Sequence, residues 1–265
     1  MPLHDCIKKA CNRKQVLKTI IGIDNFNISN SIDKIEAADI AGSTYIDIAA
    51  NIDLLKEIKS VASLPVCVSS ISMQELHNCY NAGADMLEVG NFDIFYRKHI
   101  YLSSQEVFAM AKDLKYRVPN ASICVTIPHI LTIERQLLLA QRLEDIGVDM
   151  VQTEGCATKA MNLSSISYSI KSASATLASA SVLSAGLTIP VIASSGISSL
   201  TAPMAISCGA AGVGIGSFFN TFQSNLELSK EIYETINSIK ANYYSEQALT
   251  NYIFRKDAKD LLVSV

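Results

Sequence analysis

Four segments of this chain follow one template: Gly42-Ser-Thr-Tyr-Ile-Asp47-Ile-Ala49, Gly83-Ala-Asp-Met-Leu-Glu88-Val-Gly90, Gly147-Val-Asp-Met-Val-Gln152-Thr-Glu154 and Gly209-Ala-Ala-Gly-Val-Gly214-Ile-Gly216. Each is a glycine turn feeding a short apolar, β-branched run, the pattern of a buried strand. A second motif alternates with it: Leu64-Pro-Val-Cys-Val-Ser-Ser70 matches Ile189-Pro-Val-Ile-Ala-Ser-Ser195, 125 residues later. The copies starting at Gly83 and Gly209 lie 126 residues apart. A repeat at about half the chain length fits two related halves of one closed structure. The strands predicted from these runs are Lys18–Ile23, Thr44–Ala49, Val66–Ser69, Met86–Gly90, Ile123–Ile127, Met150–Thr153, Val191–Ser194 and Val213–Ile215. A helical-period segment follows each, as in Leu228, Ile232, Ile236 and Ile239 after the last. Unbroken β-then-α units predict an α/β fold, a single (β/α)8 TIM barrel of the phosphate-binding type. It spans residues 1–265 as one domain, with a short N-terminal helix at 3–15 and a C-terminal helical tail at about 241–262.

Composition bears on partners. With 49% hydrophobic residues and a mean hydropathy of +0.25, one large core is within reach. The 22 basic and 25 acidic side chains leave a net charge of −3, and the basic ones are scattered. That excludes a nucleic-acid footprint and a polybasic membrane anchor. No charged residue occurs from Ser172 to Leu226, but Pro190, Gly196, Pro203, Gly209 and Gly216 punctuate the stretch. A spanning helix needs about 20 continuous apolar residues, so a pair of buried βα units is expected instead. The seven cysteines include no C-x-x-C pair and read as buried thiols of a reducing compartment. The opening residues M-P-L-H-D-C-I-K-K-A carry neither a signal-peptide core nor a transit pattern, so the protein is expected to work where it is made. The sequence leaves a homo-oligomer open.

The template also assigns faces, because a strand alternates sides with period two. Ile46/Ile48, Leu87/Val89, Val151/Thr153 and Val213/Ile215 face the helices, which turns Asp47/Ala49, Glu88/Gly90, Gln152/Glu154 and Gly214/Gly216 inward. Cys67, Ser69, Cys124, Thr126 and Ser194 turn inward by the same logic. Inward carboxylates are costly without partners, so Asp47, Glu88 and Glu154 are candidates to converge over the barrel mouth as general acid and base. Hydrogen bonding to strand-end backbone or to Lys18 is their structural alternative. His129, just past the fifth strand, is placed as a proton shuttle, and Asp93 after the fourth is within reach of the site. Phe92, Phe95 and Tyr96 beside it form a lid or a rim. Cys156 has no base set beside it and is a poor nucleophile.

At the other side of the mouth, Ser194, Ser195 and Gly196 form one lip and Gly214, Gly216 and Ser217 the other. Two strand ends of this kind make a cup of N–H groups suited to phosphate, and no lysine or arginine occurs in this half. The expected ligand is therefore a small phosphorylated metabolite. The expected chemistry is that of an isomerase, epimerase or lyase without a Schiff-base lysine, since Lys18 sits at the opposite end of its strand. No cofactor and no metal is required; flavin mononucleotide in the mouth and Mg²⁺ on the carboxylates are alternatives. A ligand sensor or assembly factor without catalysis is another.

Seven motifs also carry a resemblance. K-T-I-I-G-I-D-N-F (Lys18–Phe26), Y-I-D-I-A-A (Tyr45–Ala50), L-P-V-C-V-S (Leu64–Ser69), G-A-D-M-L-E-V-G-N-F-D-I-F-Y (Gly83–Tyr96), V-T-I-P-H (Val125–His129), V-Q-T-E-G (Val151–Gly155) and T-A-P-M-A-I-S-C-G-A-A-G-V-G-I-G-S (Thr201–Ser217) are similar to the hypothetical chloroplast open reading frame twenty-three family. The resemblance spans nearly the whole chain. It implies a plastid-encoded protein of the stroma and carries no catalytic residue over.

Overall fold

In the computed structural model, which describes residues 3–90, 92–96, 98–155 and 166–241, eight parallel strands close into a barrel in chain order. Helix α1 (Asp5–Asn12) precedes β1 (Val16–Gly22). Then follow α2 (Ile28–Ala41), β2 (Tyr45–Ala49), α3 (Ile52–Val61), β3 (Val66–Ser70), α4 (Met73–Asn81) and β4 (Met86–Val89). A short α5 (Asp93–Tyr96) and α6 (Ser104–Arg117) lead to β5 (Ile123–Ile127), α7 (Ile133–Asp145), β6 (Met150–Thr153) and α8 (Ile166–Gly186). The chain continues through β7 (Val191–Ser194), α9 (Ala202–Ser207), β8 (Gly212–Ile215), a 3-10 turn (Phe219–Thr221) and α10 (225–241). Helix α1 is shorter than expected at both ends. The expected tail beyond 241 lies outside the described residues.

The template has a mechanical meaning. All four of its glycines, Gly42, Gly83, Gly147 and Gly209, have φ between +81° and +101°, the left-handed region where a side chain is strained. They stop the preceding helix and turn the chain into the strand. The third template residue then fastens the previous strand: the Thr44 hydroxyl accepts from Leu17 N at 3.0 Å, and Asp85 and Asp149 accept from Val66 N and Ile123 N, each at 2.9 Å. Asp85 and Asp149 are also paired with Lys59 and Lys115. The fourth copy has Ala211 there, so this clasp is confined to the charged part of the barrel. The helices begin on their own signals. The Asn27, Asn51 and Ser72 side chains accept from Asn30 N, Leu54 N and Glu75 N, and Ser103 with Glu106 closes a capping box.

Two apolar bodies hold the barrel. The larger lies between strands and helices and includes Ile46, Ile48, Leu87, Val89, Val151, Val213 and Ile215, the face assigned to the helices from the sequence. The smaller fills the lower barrel with Val16, Tyr45, Cys67, Met86, Cys124, Met150 and Ile192, and α1 stoppers it with Ile7 and Cys11. Burial pushes the Cys67 and Cys124 thiols well above their usual range and Cys11 up to about 12, so all three are packing groups. Cys6 is exposed and Cys208 half-buried, so the expectation of uniformly buried thiols does not hold for these two. The uncharged stretch from Ser172 builds most of α8, then β7, α9 and β8. Among the described residues no helix is long and apolar enough to cross a membrane.

Candidate active site

The inward residues divide into two storeys. In the lower one, Lys18 reaches up from β1 and is fully buried. Its Nζ lies 2.6 Å from Glu88 Oε2, 2.9 Å from Asp47 Oδ2 and 2.9 Å from Gln152 Oε1. These three partners occupy the same template position on β2, β4 and β6, and Gly214 occupies it on β8. Glu88 Oε1 also accepts from the Thr126 hydroxyl at 3.0 Å and from Gln152 Nε2 at 2.8 Å, while the Ser69 hydroxyl donates to Asp47. A Cβ on Gly90 would stand 2.1 Å from Thr126 Oγ1, so glycine there leaves Thr126 the room to meet Glu88. Burial alone pushes the Lys18 ammonium down, but Asp47 and Glu88 beside it reverse this and hold it well above its ordinary value of 10.5. Burial raises the Glu88 carboxyl; Lys18 opposes the rise and Asp47 adds to it.

This corrects two expectations. Asp47 and Glu88 do not converge with Glu154 at the mouth; they sit below it, drawn in by the buried Lys18 ammonium. Lys18 is not remote either: its four-carbon stem carries the ammonium from the lower end of β1 into the barrel centre. Held charged between two carboxylates, that amine is not a nucleophile.

The upper storey contains a cavity of about 200 Å³ at the C-terminal ends of the strands. Thr126, Gln152 and Gly214 form its floor, and Asp24 and Asn220 belong to its wall. Glu154, 4% exposed, also lines it. Its Oε2 accepts from the Tyr96 hydroxyl at 2.6 Å and from His129 N at 3.2 Å, and lies 3.0 Å from His129 Nδ1. The Tyr96 ring meets the His129 ring edge-on, with centroids 4.9 Å apart. Glu154 Oε1 is buried and meets no hydrogen-bond partner among the described residues. One carboxylate oxygen is thus clamped while the other meets no described partner, a geometry able to orient a base.

The third part is the cup. Ser194, Ser195, Gly196 and Ile197 line the cavity on one side, and Gly214, Gly216 and Ser217 on the other. Ser195 and Gly196 have φ of +79° and +70°. Such strain in a non-glycine residue is characteristic of built sites. Ser195 is held by its Oγ, which donates to Gly155 O at 3.1 Å, and by Thr176 Oγ1, which donates to the carbonyls of Ser194 and Ser195, each at 2.8 Å. A Cβ on Gly196 would stand 2.1 Å from Ser172 O, which requires glycine. Among the described residues no acceptor meets the N–H groups of Gly196, Ile197, Ser217 or Phe218. No group of three or more histidine, cysteine or acidic residues able to hold a metal ion occurs among the described residues.

The structure brings Glu154, His129 and the six cup residues to one mouth. Asp93 opens α5, but its side chain is not among those described, and Cys156 lies outside the described residues. Tyr96 is the residue whose role sequence reasoning missed. Read as lid or rim, it donates to Glu154, and the only sequence signal is its place at the end of the N-F-D-I-F-Y run that follows β4.

The family profile described as "Protein of unknown function (DUF561)" matches residues 3–245. The "Uncharacterized protein ycf23" of Porphyra purpurea is 38% identical over 253 residues, covering 96% of each chain. That of Antithamnion sp. is 41% identical over 241 residues, covering 88% of this chain and 87% of its own. Among solved structures, (S)-3-O-geranylgeranylglyceryl phosphate synthase from Thermoplasma acidophilum, in complex with substrate sn-glycerol-1-phosphate, aligns with a TM-score of 0.58 at 15% identity. The alignment covers 91% of this chain and 99% of that one. It shows the shared barrel fold.

Proposed function

Since this chain belongs to the DUF561 family of plastid ycf23 proteins, its work lies in the plastid, and we propose that it binds a small phosphorylated metabolite and moves a proton on it. One observation carries this reading: the glycine–serine cup and the clamped Glu154 line the same cavity. An anion held by N–H groups at one wall places the rest of the molecule against Glu154 Oε1 at the other. Glu154 is the base, Tyr96 and His129 orient it and return the proton, and Thr126 and Gln152 on the floor meet the ligand's polar groups. Asp47, Glu88 and Lys18 work from below, fixing Thr126 and Gln152. Isomerases, epimerases and lyases of phosphorylated substrates need this pairing of anion grip and positioned base. A barrel with a related fold that takes sn-glycerol-1-phosphate is in keeping with a ligand of that size.

Native mass spectrometry of the protein purified from its plastid tests the binding half. A retained adduct that carries phosphate is expected. A protein that emerges bare, and stays bare after incubation with a panel of triose, tetrose and pentose phosphates, contradicts it.

A further inference from the structure

We infer that Lys34, carried by α2 and tethered to the cup through Asn220, is the counter-cation of the anion bound there. The inference deepens the phosphate reading above and rests on it. Lys34 Nζ donates to Asn220 Oδ1 at 2.6 Å. Asn220 lines the cavity, and its N–H donates to Gly216 O at 3.0 Å, so the residue that receives the ammonium is itself fastened to the lip. The sequence separation of 186 positions vanishes in space because β1 pairs with β8, which places the helix after β1 beside the loop after β8.

The chemistry of the contact is unusual for this molecule. Lys59 and Lys115 are neutralised by Asp85 and Asp149. Lys34, half-buried, meets an amide oxygen and, among the described residues, no carboxylate within ion-pair distance. Burial lowers its ammonium from the ordinary value, the mark of a charge lacking compensation. An anion in the cup supplies that compensation. Asp24 lines the same cavity as Asn220, so an incoming anion meets a carboxylate there and gains from a cation held beside Asn220. Lysine serves a phosphate group as a compact point charge, and N–H groups at the lip supply direction. The half of the barrel that reads as charge-free is therefore given its cation from the other end of the sequence.

The test is calorimetric titration of the full chain with inorganic phosphate at several salt concentrations. Lys34→Gln is expected to weaken binding about tenfold and to flatten its salt dependence, and Lys34→Arg to keep most of both. Unfolding temperatures without phosphate report whether either variant disturbs the fold. If Lys34→Gln is destabilised, the Arg variant and Asn220→Ala decide the matter, the latter being expected to weaken binding by releasing the tether. Wild-type affinity and salt slope in Lys34→Gln overturn the role of Lys34 and leave the cup standing. No phosphate binding by the wild type, at millimolar concentrations and low salt, overturns the cup and Lys34 with it.

Discussion

Lys18→Met is expected to destabilise the barrel by about 3–5 kcal/mol at neutral pH, the cost of leaving buried carboxylates without their cation. Asp47 and Glu88 are both buried and share that one ammonium. In the variant the rise of the Glu88 carboxyl is no longer opposed by Lys18, so that group must take up a proton to stay in the interior, and the stability of the variant is highest in acid and falls as pH climbs through the raised value. The wild type has the same sign in weaker form. The raised Glu88 carboxyl contributes fully below its ordinary value of 4.5, and that contribution is lost as pH rises through the shifted value. The raised Lys18 ammonium contributes up to 10.5 and fails only above that. Denaturant unfolding at pH 5 and pH 8 checks this. A loss that is larger at pH 8, and that Glu88→Gln added to Lys18→Met partly restores, is the expected pattern. A pH-independent loss below 1 kcal/mol contradicts the buried ion cluster.

Glu154→Gln is expected to slow proton transfer by about 10²–10⁴-fold while phosphate still binds. The amide keeps the volume of the side chain but cannot accept a proton from carbon. It also faces two groups that donate to Oε2, the Tyr96 hydroxyl and His129 N, so its geometry is retained at best in one orientation. The measurement is deuterium uptake from D₂O into small sugar phosphates, at the carbon next to the carbonyl, followed by NMR. Exchange by the wild type that the variant loses assigns the base. Equal exchange by both removes Glu154 from that role.

The barrel was legible because its grammar is local and repeated. A glycine turn followed by a β-branched run recurs at Gly42, Gly83, Gly147 and Gly209, and it placed β2, β4, β6 and β8 within one residue at each end. Period two then placed Asp47, Glu88, Gln152 and Gly214 on one interior level. What stayed hidden was how far a side chain reaches. Lys18 looked misplaced because its α-carbon is low in the barrel, whereas its ammonium is not. Lys34 and Tyr96 were missed for a related reason: each acts on a residue far off in sequence, Asn220 and Glu154, and closure of the barrel, not spacing, joins them. Charge patterning alone therefore made one half of the barrel look more neutral than it is.

A crystal structure of the protein soaked in inorganic phosphate tests most directly whether the lips after β7 and β8 hold a phosphate group. An anion is expected within hydrogen-bond distance of the N–H groups of Gly196, Ile197 and Ser217, in the cavity that Glu154 lines. An empty cup, with phosphate bound only at other surfaces or nowhere, contradicts it.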